Sequence, residues 1–174
     1  MVDAISTWLH VLAITLWIGP QVFLFAAAVP AVRTIEDAGV RARVMRVLTA
    51  RLGRLGWSAM AVILVTGITN LFVAAGDLPG QNAGDLLSSD FRFTRVFWEK
   101  MFFVVVALVL TAVHTFSVGP RQLRLMEEAS ADETAVRRVR RLSMATSGIA
   151  LLASVGALYM GAVLSNHDYS FVID

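Results

Sequence analysis

No cysteine occurs in the 174 residues, which excludes disulfides, thiolate-ligated iron–sulfur clusters and covalently attached c-type haem. Any metal or haem must rest on His, Met, Lys, Tyr or carboxylate. Charge is scarce too: 16% of residues are charged, against 57% hydrophobic and a mean hydropathy of +0.69. A chain this apolar does not stay soluble as a compact globule, so the bilayer is its solvent. Also missing is a basic residue ahead of the first apolar run. The chain opens Met1-Val2-Asp3 and that run is long enough to span, so no cleaved secretory signal is expected.

What is present is four apolar stretches near 5–29, 56–75, 97–118 and 144–164, each close to the roughly 20 residues needed to cross a ~30 Å hydrocarbon core. The first loop carries Arg33, Arg41, Arg43, Arg46, Arg51 and Arg54, and the third Arg121, Arg124, Arg137, Arg138, Arg140 and Arg141. The second has only Arg92 and Arg95, set against Asp77, Asp85 and Asp90. By the positive-inside rule the first and third loops are cytoplasmic and both termini face outward. The predicted fold is therefore an all-α integral membrane protein, a single domain over 1–174. It is a four-transmembrane-helix bundle with N and C termini outside (periplasmic) and two Arg-rich cytoplasmic connections, in the bacterial cytoplasmic (inner) membrane.

The arginine stretches read as helical extensions of the spans: "VRARVMRVLTARLGRL" interleaves arginine with Val, Met and Leu, and Ser130 to Glu133 has capping-box spacing. Beside a bilayer such a basic stripe anchors to anionic headgroups, so the expected partner is lipid and not nucleic acid. The middle loop, rich in Gly, Asp and Ser, reads as an outer turn with a Ser cap leading into the third helix. Shifting the first hairpin by 90 positions lays Trp8 on Trp98, His10 on Lys100 and Pro30 on Pro120. Two helical hairpins in one orientation are what a duplication would produce.

Ionisable residues inside a span are expensive and mark candidate functional positions. His10, Trp17 and Gln21 share one face of the first helix. Lys100, Ala107, Thr111 and His114 line one face of the third, with Glu99 beside them. The second offers Thr66 and Asn70. The fourth offers Tyr159, Met160 and the small ladder Ala153, Ala157, Gly161, which reads as close helix packing. The first and third helices run in the same direction, so His10 and Lys100 lie in the outer half and His114 near the inner surface. At 1.5 Å per residue the two histidines differ in depth by roughly 15–20 Å and cannot ligate one iron. His10 is within reach of Lys100, Glu99, Asn70, Met160 and His167, and His114 has Met60 and Met144 for company. Each has a plain alternative: an imidazole bonding a neighbouring helix, a snorkelling Lys100 and Glu99, a solvated tail His167, gap-filling methionines.

"WLHVLAITLWIGPQVFLF", then "RLGRLGWSAMAVILVTGITNL", then "WEKMFFVVVALVLTAVHTF" resembles the four-helix membrane proteins grouped with copper-resistance protein D and the bacterial J-type protoporphyrinogen oxidase. The likeness lies in an early histidine followed by Trp and Gly (His10, Trp17, Gly19), and in a lysine opening the third helix with a histidine further along (Lys100, His114). It implies b-type haem on the first-helix histidine and a functional lysine in the oxidase branch, and copper uptake in the copper branch. Gly19-Pro20-Gln21 departs from the oxidase branch's small-residue and Pro-Arg-Leu-Phe run.

Three functions follow. The first is a b-type haem membrane redox protein, since neutral imidazole is a good axial ligand and an apolar bundle shields the macrocycle. His10 is then the leading ligand and Met160 or His167 its partner. Lys100 is a counterion for a propionate or a porphyrinogen carboxylate, and His114 the seat of a second haem. Trp17, Asn70 and Tyr159 line the cofactor, and electrons pass to or from quinone or another redox protein. The second is a copper-binding or copper-uptake protein, with His10, Met160, Met101 and His167 as an outer site, because thioethers suit Cu(I). The third is a non-catalytic subunit of a larger membrane complex, or a homo-oligomer. In the first two His10 is the expected ligand, in an outer-half site with Lys100.

Overall fold

The computed structural model describes residues 2–76, 82–88, 92–127, 132–166, 170 and 172. Among them there are helices and no strand. The first rod is α1 (Val2–Phe23), a π-helical turn (Leu24–Ala28) and α2 (Val29–Arg33); the second is α3 (Ala38–Gly76). A short α4 (Ala83–Ser88) follows. The third rod is α5 (Arg92–Val113), a second π turn (His114–Val118) and α6 (Gly119–Glu127), and the fourth is α7 (Glu133–Leu164). All four rods are long and apolar enough to cross a membrane, so the chain is a multi-pass membrane protein.

The rods outrun the apolar stretches because the arginine segments continue the helices. Asp37 caps α3, its Oδ1 accepting from the Val40 N–H at 2.8 Å. Asp132 caps α7, accepting from the Thr134 N–H at 3.0 Å. The cap expected at Ser130 lies outside the described residues. Glu133, expected to reach back to that cap, reaches forward one turn to Arg137 at 2.5 Å, where the i,i+4 spacing sets the two charges side by side.

Within the middle connection the described residues 82–88 carry a short helix that the sequence reading took for part of a turn. Asn82 Oδ1 accepts from the N–H groups of Gly84 and Asp85 at 2.8 and 3.0 Å, and Asp85 Oδ2 accepts from the Asn82 N–H at 3.2 Å. This reciprocal cap starts α4. Of the serines expected to cap the third helix, Ser88 belongs to α4 and Ser89 lies outside the described residues.

α1 packs along α3, α5 along α7, and α1 meets α7. The bundle is thus two hairpins, joined where α1 meets α7 and where α3 meets α6. At mid-depth Trp17, Ala59 and Met60 form a buried core against Ile18, Ile63 and Leu108. At the end carrying both termini, Leu86 of α4 is fully buried between Ala75 and Phe93, with Leu164 beside them. The Val172 carbonyl accepts from the Arg92 N–H there at 2.9 Å. Phe72, Trp98, Phe102 and Leu152 point outward, a surface suited to lipid rather than water.

The 90-residue offset has a structural counterpart. The two π turns, 24–28 and 114–118, are offset by the same 90 positions as Pro30 and Pro120. In each the first carbonyl accepts from five residues on: the Val29 N–H bonds Leu24 and the Gly119 N–H bonds His114. A proline ring clashes with the carbonyl four residues earlier and supplies no N–H to it. Widening the preceding turn relieves the clash.

Candidate functional site

His10 is buried on the α1 face that meets α3, with Nδ1 2.8 Å from Thr66 Oγ1. The Thr66 hydroxyl donates to the Val62 carbonyl of its own helix at 2.6 Å. One turn toward the termini, Ser6 Oγ donates to Asn70 Oδ1 at 2.6 Å. The imidazole can come this close because Gly67 has no side chain: a Cβ there would stand 3.3 Å from His10 Cε1.

Trp17 sets the depth scale. Its indole N–H donates to Ser154 Oγ of α7 at 3.0 Å, and that hydroxyl donates to the Ala150 carbonyl at 2.8 Å. Seven residues separate Trp17 from His10 (17 − 10) and seven separate Ser154 from Gly161 (161 − 154). Each interval is about 10 Å along its axis, so His10 and Gly161 share a level. Lys100 reaches that level from α5: its Cε and Nζ lie 3.8 Å from where a Gly161 Cβ would stand. It is the chain's only lysine. Lys100 thus lies at the level of His10, with Asn70 one turn away.

Of the other residues expected at this level, Met160 is half-buried beside Gly161, and Tyr159 is 64% exposed and turned outward. Glu99 is exposed. His167 lies outside the described residues. Gln21 is occupied within α1, its Nε2 donating to the Trp17 carbonyl at 3.0 Å.

His114 opens the second π turn on the α5 face that also carries Lys100, and both face α7. Its Nδ1 lies 3.1 Å from Ser147 Oγ and 3.4 Å from Thr146 Oγ1. The Thr146 hydroxyl donates to the Leu142 carbonyl at 2.9 Å. Thr146 is eight residues from Ser154 (154 − 146) on the far side of Trp17. The two histidines are therefore about 20 Å apart in depth. Of the methionines expected near His114, Met60 packs beside Trp17 and Met144 is 49% exposed.

Among the described residues no three His, Cys, Asp or Glu gather into a group that could hold a metal ion. A metal at His10 would draw its other donors from thioether, hydroxyl or exogenous groups. An open groove of about 280 Å³ runs over Ser6 and Thr66, lined otherwise by Ile5, Leu9 and Thr69.

The sequence reading missed Ser6, Thr146, Ser147 and Ser154. Hydropathy barely registers a hydroxyl in an apolar run, yet within a membrane such residues bond across helices. For the three on α7 the signal is the helical spacing of Ser and Thr on the face that carries the small ladder.

A family model described as copper resistance protein D matches residues 45–160. The matched segment takes in Thr66, Lys100, His114, Thr146 and Ser154, and begins after α1 with His10 and Trp17. No curated protein and no solved structure matches the chain.

Proposed function

The chain belongs to the copper resistance protein D family, and on that premise we propose that it binds copper within the bacterial cytoplasmic membrane through the imidazole of His10. The observation that carries the reading is that His10, buried inside the bundle, is held at Nδ1 by Thr66. An imidazole backed by soft thioether suits Cu(I), and Met160 and Met101 are the methionines nearest that level in sequence. Lys100 bears on the oxidation state. A cation at His10 meets repulsion from a charged ammonium in proportion to its own charge, so the singly charged ion is favoured over the doubly charged one.

A b-type haem on the same imidazole, exchanging electrons with quinone, is the reading that composition and imidazole chemistry put first. Family membership favours copper over it. The test is a Cu(I) titration of the detergent-purified protein against a competing chelator, for wild type, His10→Ala and His114→Ala. We expect one equivalent bound, lost in His10→Ala and retained in His114→Ala. Unchanged binding by His10→Ala would overturn the assignment, and a b-type α band in the reduced protein would restore the haem reading.

A further inference from the structure

We propose that Thr66 is a positioning residue that fixes the tautomer of His10, placing the proton on Nδ1 and presenting Nε2 as the only free donor. A hydroxyl has one proton and two lone pairs. At 2.6 Å from the Val62 carbonyl, which can only accept, the Thr66 proton is committed to that bond. What Thr66 turns toward His10 is a lone pair. The 2.8 Å contact between Oγ1 and Nδ1 therefore needs its proton from the ring. A neutral imidazole has one N–H, so Nε2 carries the free lone pair.

The geometry of α3 enforces this arrangement. Threonine in a helix has few χ1 choices, and the one used here ties Oγ1 to the carbonyl four residues back. Gly67 beside it opens the slot for the ring, so clamp and slot are consecutive residues of one helix. Metal-ligating histidines are commonly oriented by such a bond to the non-ligating nitrogen. The consequence for copper rests on the copper reading; the tautomer does not.

His114 supplies a contrast within the same molecule. Thr146 uses its proton in the same way but stands 3.4 Å from the ring nitrogen, while Ser147 Oγ stands closer at 3.1 Å. Among the described residues no carbonyl claims the Ser147 Oγ proton, so it can donate to Nδ1 as readily as accept. The neighbours of His114 leave its tautomer open.

The test reads both histidines by nitrogen NMR on histidine-labelled, copper-free protein in lipid nanodiscs, for wild type, Thr66→Ser and Thr66→Val, followed by Cu(I) titration of each. We expect His10 protonated at Nδ1 in wild type and in Thr66→Ser, and mixed or at Nε2 in Thr66→Val. Copper affinity should fall about tenfold or more in Thr66→Val and return in Thr66→Ser. A wild-type His10 protonated at Nε2 would overturn the proposal without any variant having to fold. An altered tautomer in Thr66→Val with unchanged copper affinity would overturn the positioning role. Wild-type protein that binds no copper but carries His10 as Nδ1–H would sink the copper reading alone.

Discussion

Replacing Gly156 by alanine probes the seam on which Lys100 and His114 are both carried. Gly156 lies where α7 crosses Phe103 of α5, and a Cβ there would fall 2.9, 3.0 and 3.2 Å from Cδ1, Cε1 and Cγ of the ring. Carbon atoms pack best at about 3.5–4.0 Å, so the ring or the helix must retreat by roughly 0.5–1 Å. Alanine gains about 1 kcal/mol over glycine in a helix interior, and overpacking a filled contact costs about 1–3 kcal/mol. The clash wins, and we expect a net loss of about 1 kcal/mol. Gly148→Ala meets only Phe25 Cζ at 3.9 Å, and Gly53→Ala meets nothing within 4 Å, so both should be neutral or stabilising. The assay is reversible unfolding by SDS in mixed micelles, followed by helicity. Adding Phe103→Leu to Gly156→Ala should recover the loss in a double-mutant cycle. If Gly156→Ala is as stable as Gly148→Ala, or Phe103→Leu gives no recovery, α5 and α7 do not meet in this register. The shared level of Lys100 and Gly161, five residues along, would fall with it.

Two further outcomes follow from the same contacts. Trp17→Phe and Ser154→Ala should each cost about 0.6–1.7 kcal/mol, the range of hydrogen bonds between membrane helices; the double mutant should cost less than their sum, and strict additivity would show that the indole and the hydroxyl are not bonded. Gly67→Ala should push the His10 ring off Thr66 and weaken Cu(I) binding severalfold while Gly53→Ala leaves it unchanged, and a Gly67→Ala protein that binds like wild type would mean the imidazole does not lie against α3.

Much of the architecture was legible because the physics behind it is long-ranged along the chain. Twenty apolar residues make a span whatever their order, and arginines interleaved with Val and Leu continue a helix into the headgroups. The shared face of Lys100 and His114 was legible from spacing alone, and so was the depth gap between the histidines. What stayed hidden depends on single atoms. Thr66 was visible as a polar residue, but its bond to Val62, which decides what it offers His10, follows from a rotamer. Ser154 and Thr146 went unread, because a hydroxyl barely alters the hydropathy of an apolar run. Tyr159 and Gly161, two positions apart, looked equally able to face the interior, and the helix's rotation separates them. The cap at Asp132 shows the same limit, since more than one residue ahead of α7 is of a capping type and only the backbone chooses.

The paired π turns make the first and third rods unequal in their tolerance of length changes. Each turn holds one residue more than an α turn closes with, so the register inward of it is already one position ahead of the register outward. Deleting a residue within 24–28 would close that turn as α-helix and leave everything beyond it facing as before, whereas deleting one from the α-helical stretch on either side would swivel the rest of the rod by about 100°. Val32, now buried, would keep its place on the core in the first case and swing off it in the second. A deletion scan should therefore find the π turn to be the stretch of each rod where losing a residue costs only the renewed proline clash.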